Sequence, residues 1–158
     1  MKVVAYRIVQ TRFASNAFDG EGARLYGGRW NSVGVRMVYV ASSLSLATLE
    51  LLVHTDEIAT IFGRYTVIPV EFDSSLVTAL PPTSYPRGWN NPVPIAATQA
   101  IGDAWIKKQE TAVFKVPSAV VETECNYLLN SVHPDFAKIA ICTGFVFKPD
   151  ARLHAALR

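Results

Sequence analysis

A chain of 158 residues, 50% hydrophobic and 18% charged, is long enough to bury a core of its own, and its composition excludes a disordered or solvating polypeptide. Its 15 basic and 13 acidic residues leave a formal charge of +2 without any basic run, so bulk electrostatics give no argument for nucleic-acid binding. Cys125 and Cys142 lack metal-ligand spacing, no apolar run is long enough to span a membrane, and Tyr6 and Arg7 interrupt any signal-peptide core. The expectation is one cytoplasmic domain over residues 1–158 with no structural metal.

In chain order, Val3 to Val9 is rich in β-branched residues and reads as a strand. Thr11 to Arg24 is polar and glycine-dotted and reads as a loop. Arg36 to Ala41 reads as a strand with Met37 and Tyr39 on one face and Val38 and Val40 on the other. Ser42 and Ser43 are N-cap candidates for a helix from Leu44 to His54, on which Leu46, Ala47, Glu50, Val53 and His54 share a stripe. Arg64 to Phe72 reads as a strand, with Pro69 pointing to an edge or a bulge. Residues 73–94, with five prolines, read as a long irregular segment. Ile95 to Lys108 reads as an amphipathic helix carrying Ala97, Ile101 and Trp105 at i, i+4 spacing. Ala112 to Val116 reads as a strand, Val120-Val121 as extended, Asn126 to Asn130 as a turn, and Lys138 to Phe147 as a last strand. This order favours an α+β fold, a mixed β-sheet core with flanking helices, over a doubly wound parallel sheet.

Two features stand out chemically. Tyr26-Gly27-Gly28-Arg29-Trp30-Asn31-Ser32 sets a planar cation among glycines and aromatics, a combination suited to an anion and a flat ring. An ordinary surface ion pair would explain Arg29 as well. One strand later, Glu50 falls on a mostly apolar helix stripe, where a carboxylate is costly unless it has a partner or a task. It suits a general base, a nucleophile or a stabiliser of a cationic transition state; pairing with His54 is the plainer alternative. Tyr26 and Tyr39 are candidates to stack on a heterocycle, and Ser118 follows a strand and a proline. No GxSxG surrounds Ser118, no GxGxxG follows a strand, and His54 and His133 read as structural.

These residues carry a resemblance. The glycine–arginine segment with Gly34, then Val38-Tyr39, then Leu46-Ala47, Leu49-Glu50 and Leu52-Val53-His54, resembles the RES-domain family. So do Thr98-Gln99, Ile101-Gly102-Asp103 and Trp105, Val116-Pro117-Ser118-Ala119, Glu124, Asn126, Leu128-Leu129-Asn130 and His133-Pro134-Asp135-Phe136. The likeness spans nearly the whole chain. One departure is Val35, where the family usually has proline.

The resemblance implies a fold similar to the diphtheria-type ADP-ribosyltransferases and the function of a type II toxin–antitoxin toxin. Such a toxin degrades NAD⁺ at the nicotinamide–ribose bond, as glycohydrolase or phosphorylase, and arrests growth; transfer of ADP-ribose to a protein is the alternative. The family's eponymous Arg, Glu and Ser fall on Arg29, Glu50 and Ser118 as catalytic residues. Tyr26, Arg29, Tyr39 and Asn126 are the implied NAD⁺-binding residues. NAD⁺ is then a substrate, with no bound cofactor or metal. The implied partner is a helix-turn-helix antitoxin of Xre type, through which alone DNA would be reached. A non-catalytic nucleotide-binding module is the competing class; the joint presence of Arg29, Glu50 and Ser118 speaks against it.

Overall fold

The structure, a computed structural model, describes residues 1–55 and 63–153. The β-branched opening forms β1 (Lys2–Gln10). The stretch expected as a loop is instead a 3-10 turn over Thr11–Asn16 followed by α1 (Glu21–Tyr26). Asp19 explains the difference: its carboxylate accepts the Glu21 N–H at 2.8 Å and satisfies a helix-start donor, while Gly20 supplies a left-handed φ of 75°. Glu21 then sits in the first turn and Arg24 in the last, each matching the helix dipole.

β2 (Val38–Ala41) starts two residues later than expected but keeps the expected alternation. Val38 and Val40 enter one core cluster, and Met37 and Tyr39 pack in another on the opposite face. Of the two serines, Ser43 caps α2 (Leu44–Val53), its Oγ accepting the Leu46 N–H at 3.0 Å. Leu46 and Ala47 are buried and Glu50 half-buried, as the stripe predicts, but Val53 and His54 are exposed. The helix turns Leu51 and Leu52 inward instead, against Phe147 and Val67.

β3 (Tyr65–Asp73) pairs antiparallel with β1 along its whole length, from Lys2 opposite Asp73 to Gln10 opposite Tyr65. Pro69 makes neither a bulge nor a simple edge. It stays in register with Tyr6 and falls between the two short strands that flank β3 on the other side, where its missing N–H interrupts no ladder. The proline-rich stretch holds more order than expected: β4 (Val77–Ala79) lies within it, parallel to β5.

α3 (Ala96–Lys108) has the expected extent, but its inner face is Thr98, Gly102 and Trp105; Ala97 is exposed. The rotation follows from Gly102. A Cβ there would lie 1.7 Å from the Trp30 carbonyl oxygen, so only glycine lets the helix rest on that backbone.

β5 (Val113–Pro117) and β6 (Cys125–Leu129) pair antiparallel, and Val120-Val121 lie in the bend between them. The expected turn at Asn126 to Asn130 is therefore a strand. Its asparagines suggested a turn, yet Tyr127 and Leu129 fill one core and Leu128 the other, and burial on both faces outweighs the local preference. The expected last strand is split into β7 (Ala140–Ile141) and β8 (Phe145–Val146), both on β3.

The mixed sheet runs β4-β5-β6-β2-β1-β3-β7, with β8 also on β3. Every described pairing is antiparallel except β4–β5. Face and register place Ala41, Asn126 and Val116 side by side on the surface that α2 and α3 cover.

Helix propensity and packing make opposite predictions for Gly102→Ala. Propensity alone would stabilise α3 by about 1 kcal/mol, whereas the clash with Trp30 should destabilise by about 1–3 kcal/mol. Urea denaturation should show a net loss; a gain would refute the close contact.

Candidate active site

The site is assembled from four segments. α2 brings Glu50, the end of β5 brings Ser118, β6 brings Asn126, and the turn after α1 brings Arg29. Glu50 Oε1 accepts two hydrogen bonds, from Ser118 Oγ at 2.8 Å and Asn126 Nδ2 at 2.8 Å. Both donors fall on the same oxygen. Oε2 receives none among the described residues, so the carboxylate is oriented through one oxygen while the other keeps its lone pairs.

Ser118 is 0% exposed. Besides donating to Glu50, its Oγ accepts the N–H groups of Val120 at 3.1 Å and Val121 at 3.2 Å. One donor and two acceptor positions exhaust a hydroxyl. In this arrangement Ser118 positions Glu50 and pins the bend between β5 and β6; its side chain has no surface to offer a ligand. Asn126 is half-buried beside it, within the strand that holds it against Ala41.

Arg29 is half-buried, and its Nη1 donates to the Trp89 carbonyl at 2.8 Å. Burial pushes its guanidinium below the ordinary arginine value, with Glu50 and Tyr39 pulling the other way. Arg29 and Glu50 thus feel each other's charge, yet no ion pair within 4.0 Å joins them among the described contacts.

The turn holding Arg29 is tied down atom by atom. Gly27 has a φ of 71°, and the Gly28 N–H donates to the Asn31 carbonyl at 3.0 Å. A Cβ on Gly28 would come within 2.7 Å of the Tyr39 hydroxyl, so a side chain at that position would displace the tyrosine. Asn31, 0% exposed, donates from Nδ2 to Ala23 O at 2.8 Å and Val35 O at 3.0 Å, and its Oδ1 accepts from Tyr39 Oη at 2.6 Å. The Trp30 N–H donates to the same Tyr39 oxygen at 3.1 Å. From α3, Gln99 Nε2 donates to Gly28 O at 3.0 Å, and the Asp103 carboxylate accepts the Ser32 N–H at 3.0 Å and Oγ–H at 2.6 Å.

Arg29, Glu50, Ser118 and Asn126 are thereby placed around one region, directly or through their contacts. Tyr39 also borders it, but its hydroxyl is spent on the arginine turn as both donor and acceptor. Tyr26, at the end of α1 beside Gly27, is 84% exposed, and none of the described side-chain hydrogen bonds joins it to the other candidates. His54 is an exposed helix cap. His133 is buried, with Nδ1 accepting the Asp135 N–H at 3.0 Å and Nε2 3.0 Å from Gln109 O, so Nε2 carries the proton; both histidines are structural, as expected. Among the described residues no three potential ligands form a metal cluster.

Trp89, Asn31, Gln99 and Asp103 escaped the sequence reading as site residues. For Gln99 and Asp103 a signal existed: polar residues at i, i+4 beside a buried glycine mark a face that bonds to something. Trp89, inside a proline-rich segment and acting through its carbonyl, gives no such signal.

Residues 4–153 match the family model described as the RES domain. The chain belongs to the RES-domain family. This RES chain is 38% identical over 157 residues to a protein of Photorhabdus laumondii named Toxin Res, covering 98% of this chain and 99% of that one. It is 39% identical over 126 residues, 78% of each chain, to a protein of a Sphingobium species named Prs ADP-ribosylating toxin. Its fold is similar to a chain in the crystal structure of the M. tuberculosis MbcT–MbcA toxin–antitoxin complex, with a TM-score of 0.78 and 19% identity over 100% of this chain and 90% of that one. The α+β reading of the sequence agrees with that fold.

Burial pushes the Tyr39 phenol well above its ordinary value near 10, and raises Tyr127 to about 12. Above pH 10 the unfolded chain loses protons that the folded RES chain keeps, so stability falls as pH rises. Urea titrations at about pH 9 and 11 should show this loss, at up to roughly 1.4 kcal/mol per pH unit for the deeply buried Tyr39 and a smaller share from the more solvent-screened Tyr127. Tyr39→Phe should flatten the slope, and an unchanged slope would contradict the buried hydroxyl.

Proposed function

We propose that this RES chain is the toxin of a toxin–antitoxin pair and that it breaks the nicotinamide–ribose bond of NAD⁺. The observation that carries the reading is the Glu50 carboxylate, fixed through one oxygen by Ser118 and Asn126 and close enough to the half-buried Arg29 to act on its charge, with no ion pair between the two among the described residues. Cleavage of an N-glycosidic bond passes through an oxocarbenium-like state, and a preoriented carboxylate lowers its energy more than that of the ground state. Nicotinamide leaves with the bonding electron pair, becoming neutral as the ribose carbon takes the positive charge. Water, giving up a proton to solvent, or phosphate then supplies the electron pair that closes the new bond, giving ADP-ribose or its 1″-phosphate.

In this reading Arg29 binds the pyrophosphate, its planar fork matching two phosphate oxygens. The N–H groups of Gly27, Gly28 and Trp30 in the same turn are already committed to Ala23 O, Asn31 O and Tyr39 Oη, so the guanidinium is the anion ligand of this turn. Tyr26, exposed at the end of α1, offers a ring face to a heterocycle. Asn126 orients Glu50 through its Nδ2 and is only half-buried, which leaves it able to take part in ribose binding. Ser118, sealed off from ligand, acts through Glu50 alone. NAD⁺ is consumed as a substrate, and no step requires a bound cofactor or a metal.

A second reading, transfer of ADP-ribose to a protein, draws support from the 39%-identical relative named as an ADP-ribosylating toxin. Both readings share the bond cleaved and differ in the acceptor. The partner is proposed to be an antitoxin of the helix-turn-helix, Xre type, with DNA reached only through it; the fold's likeness to a chain from a toxin–antitoxin complex fits a protein partner. No described helix is long and apolar enough to cross a membrane.

Purified protein incubated with NAD⁺ should release nicotinamide. Glu50→Gln, which keeps the shape but removes the charge, should lower kcat by about 10²–10⁴-fold. Mass spectrometry of the products then separates the acceptors: free ADP-ribose for water, the 1″-phosphate for phosphate, a modified polypeptide for transfer. Absence of nicotinamide release under all three conditions would reject the reading.

A further inference from the structure

The face of α3 formed by Gln99, Gly102 and Asp103 has no part in the chemistry assigned to Glu50, yet it grips the arginine turn at both ends. Gln99 holds the carbonyl of Gly28, the residue before Arg29, at 3.0 Å. Asp103 holds Ser32, three residues after Arg29, through two hydrogen bonds of 3.0 and 2.6 Å. Between them Gly102 lets the helix backbone lie against the Trp30 carbonyl, where a Cβ would stand 1.7 Å away. Behind this face Trp105 is buried in the cluster that contains Trp30 and Met37, so the helix itself is anchored. Glu50 is oriented from elsewhere, by groups on β6 and at the end of β5, and no described hydrogen bond links it to α3.

We infer that Gln99 and Asp103 are positioning residues that set the affinity for the anionic substrate by fixing where Arg29 stands, while leaving bond cleavage to the Glu50 assembly. This rests on the reading of Arg29 as the pyrophosphate ligand. The physical reason is preorganisation. A long arginine on a glycine-rich turn would otherwise lose backbone freedom each time it bound a phosphate, and α3 removes that freedom in advance. The pyrophosphate lies away from the bond that breaks, so its contact with Arg29 is the same in ground and transition states. Weakening such a contact raises KM and spares kcat.

The test uses Gln99→Leu, which keeps the volume and removes the donor, and Asp103→Ala, which removes both acceptors. Each should raise KM for NAD⁺ about tenfold, the equivalent of one lost hydrogen bond, with kcat changed less than about threefold. Asp103→Asn should recover most of the affinity, because its amide oxygen still accepts the Ser32 N–H and its Nδ2 can donate to Ser32 Oγ. Amide hydrogen exchange gives a readout that needs no turnover. Exchange should quicken at residues 28–32 in Gln99→Leu and Asp103→Ala and stay unchanged in β1 and β3, which also shows that the variants fold. Quickened exchange with an unchanged KM, or a fall in kcat at constant KM, would overturn the inference and leave the proposed reaction standing. Failure of the unaltered chain to release nicotinamide would instead overturn the reaction, and the claim about affinity with it.

Discussion

The interaction on which the arrangement turns is the pair of hydrogen bonds that meet on one oxygen of Glu50. A carboxylate on an apolar helix face is costly to bury unless its lone pairs are met, and here a helix residue is satisfied by groups from two strands of the sheet it covers. The bond from Ser118 couples α2 to the bend after β5, and that from Asn126 couples it to β6. Removing either partner leaves a half-satisfied anion between a helix and a sheet. The same two bonds therefore set the docking of α2 and the direction of its carboxylate, so a change that weakens one disturbs the other.

The arginine side is built on a different plan. Glu50 is oriented by side chains from β6 and the end of β5, whereas Arg29 sits on a turn held from outside by Tyr39 and α3, with its guanidinium tied to the Trp89 carbonyl. Two opposite charges in one half-buried region would be expected to collapse into an ion pair. Each is instead committed to neutral hydrogen-bond partners, Arg29 to the Trp89 carbonyl and Glu50 to Ser118 and Asn126. Under the proposed reading both charges then stay available to NAD⁺, which carries negative charge on its pyrophosphate and positive charge on its nicotinamide ring.

Much of this was legible in the residues, and the misses have physical causes. The alternation through Met37, Val38, Tyr39 and Val40 gave both faces of β2, and Ser43 with Leu46 and Ala47 gave α2 and its buried stripe. These signals are local and periodic. β6 was not legible, because Asn126 and Asn130 have the local preferences of a turn, and what makes the segment a strand is burial of Tyr127, Leu128 and Leu129 by partners far away in sequence. The extent of α3 is legible but its rotation is not, because large apolar residues mark the stripe while the closest contact is made by Gly102, which has no side chain to show. α1 gives no periodic signal, because its start depends on one side chain, Asp19. In the site, Arg29 and Glu50 declared themselves as costly groups in unusual company. The part played by Ser118 was out of reach, since nothing in its neighbours tells that its hydroxyl would be sealed from solvent.

That last point changes how the three eponymous residues divide their work. Arg29 and Glu50 each keep capacity beyond their protein bonds, and these are the groups a substrate would meet. Ser118 has none left: its hydrogen goes to Glu50 and its lone pairs to two backbone amides. A serine is nonetheless well chosen for the place. Alanine would strand both amides and leave Glu50 Oε1 with the Asn126 bond alone, and threonine would add a methyl group where the residue is already fully enclosed. Its requirement follows from packing and hydrogen-bond count, with no role for it as a nucleophile. Under the proposed reading two of the three residues meet the ligand, and the third holds one of them in its orientation.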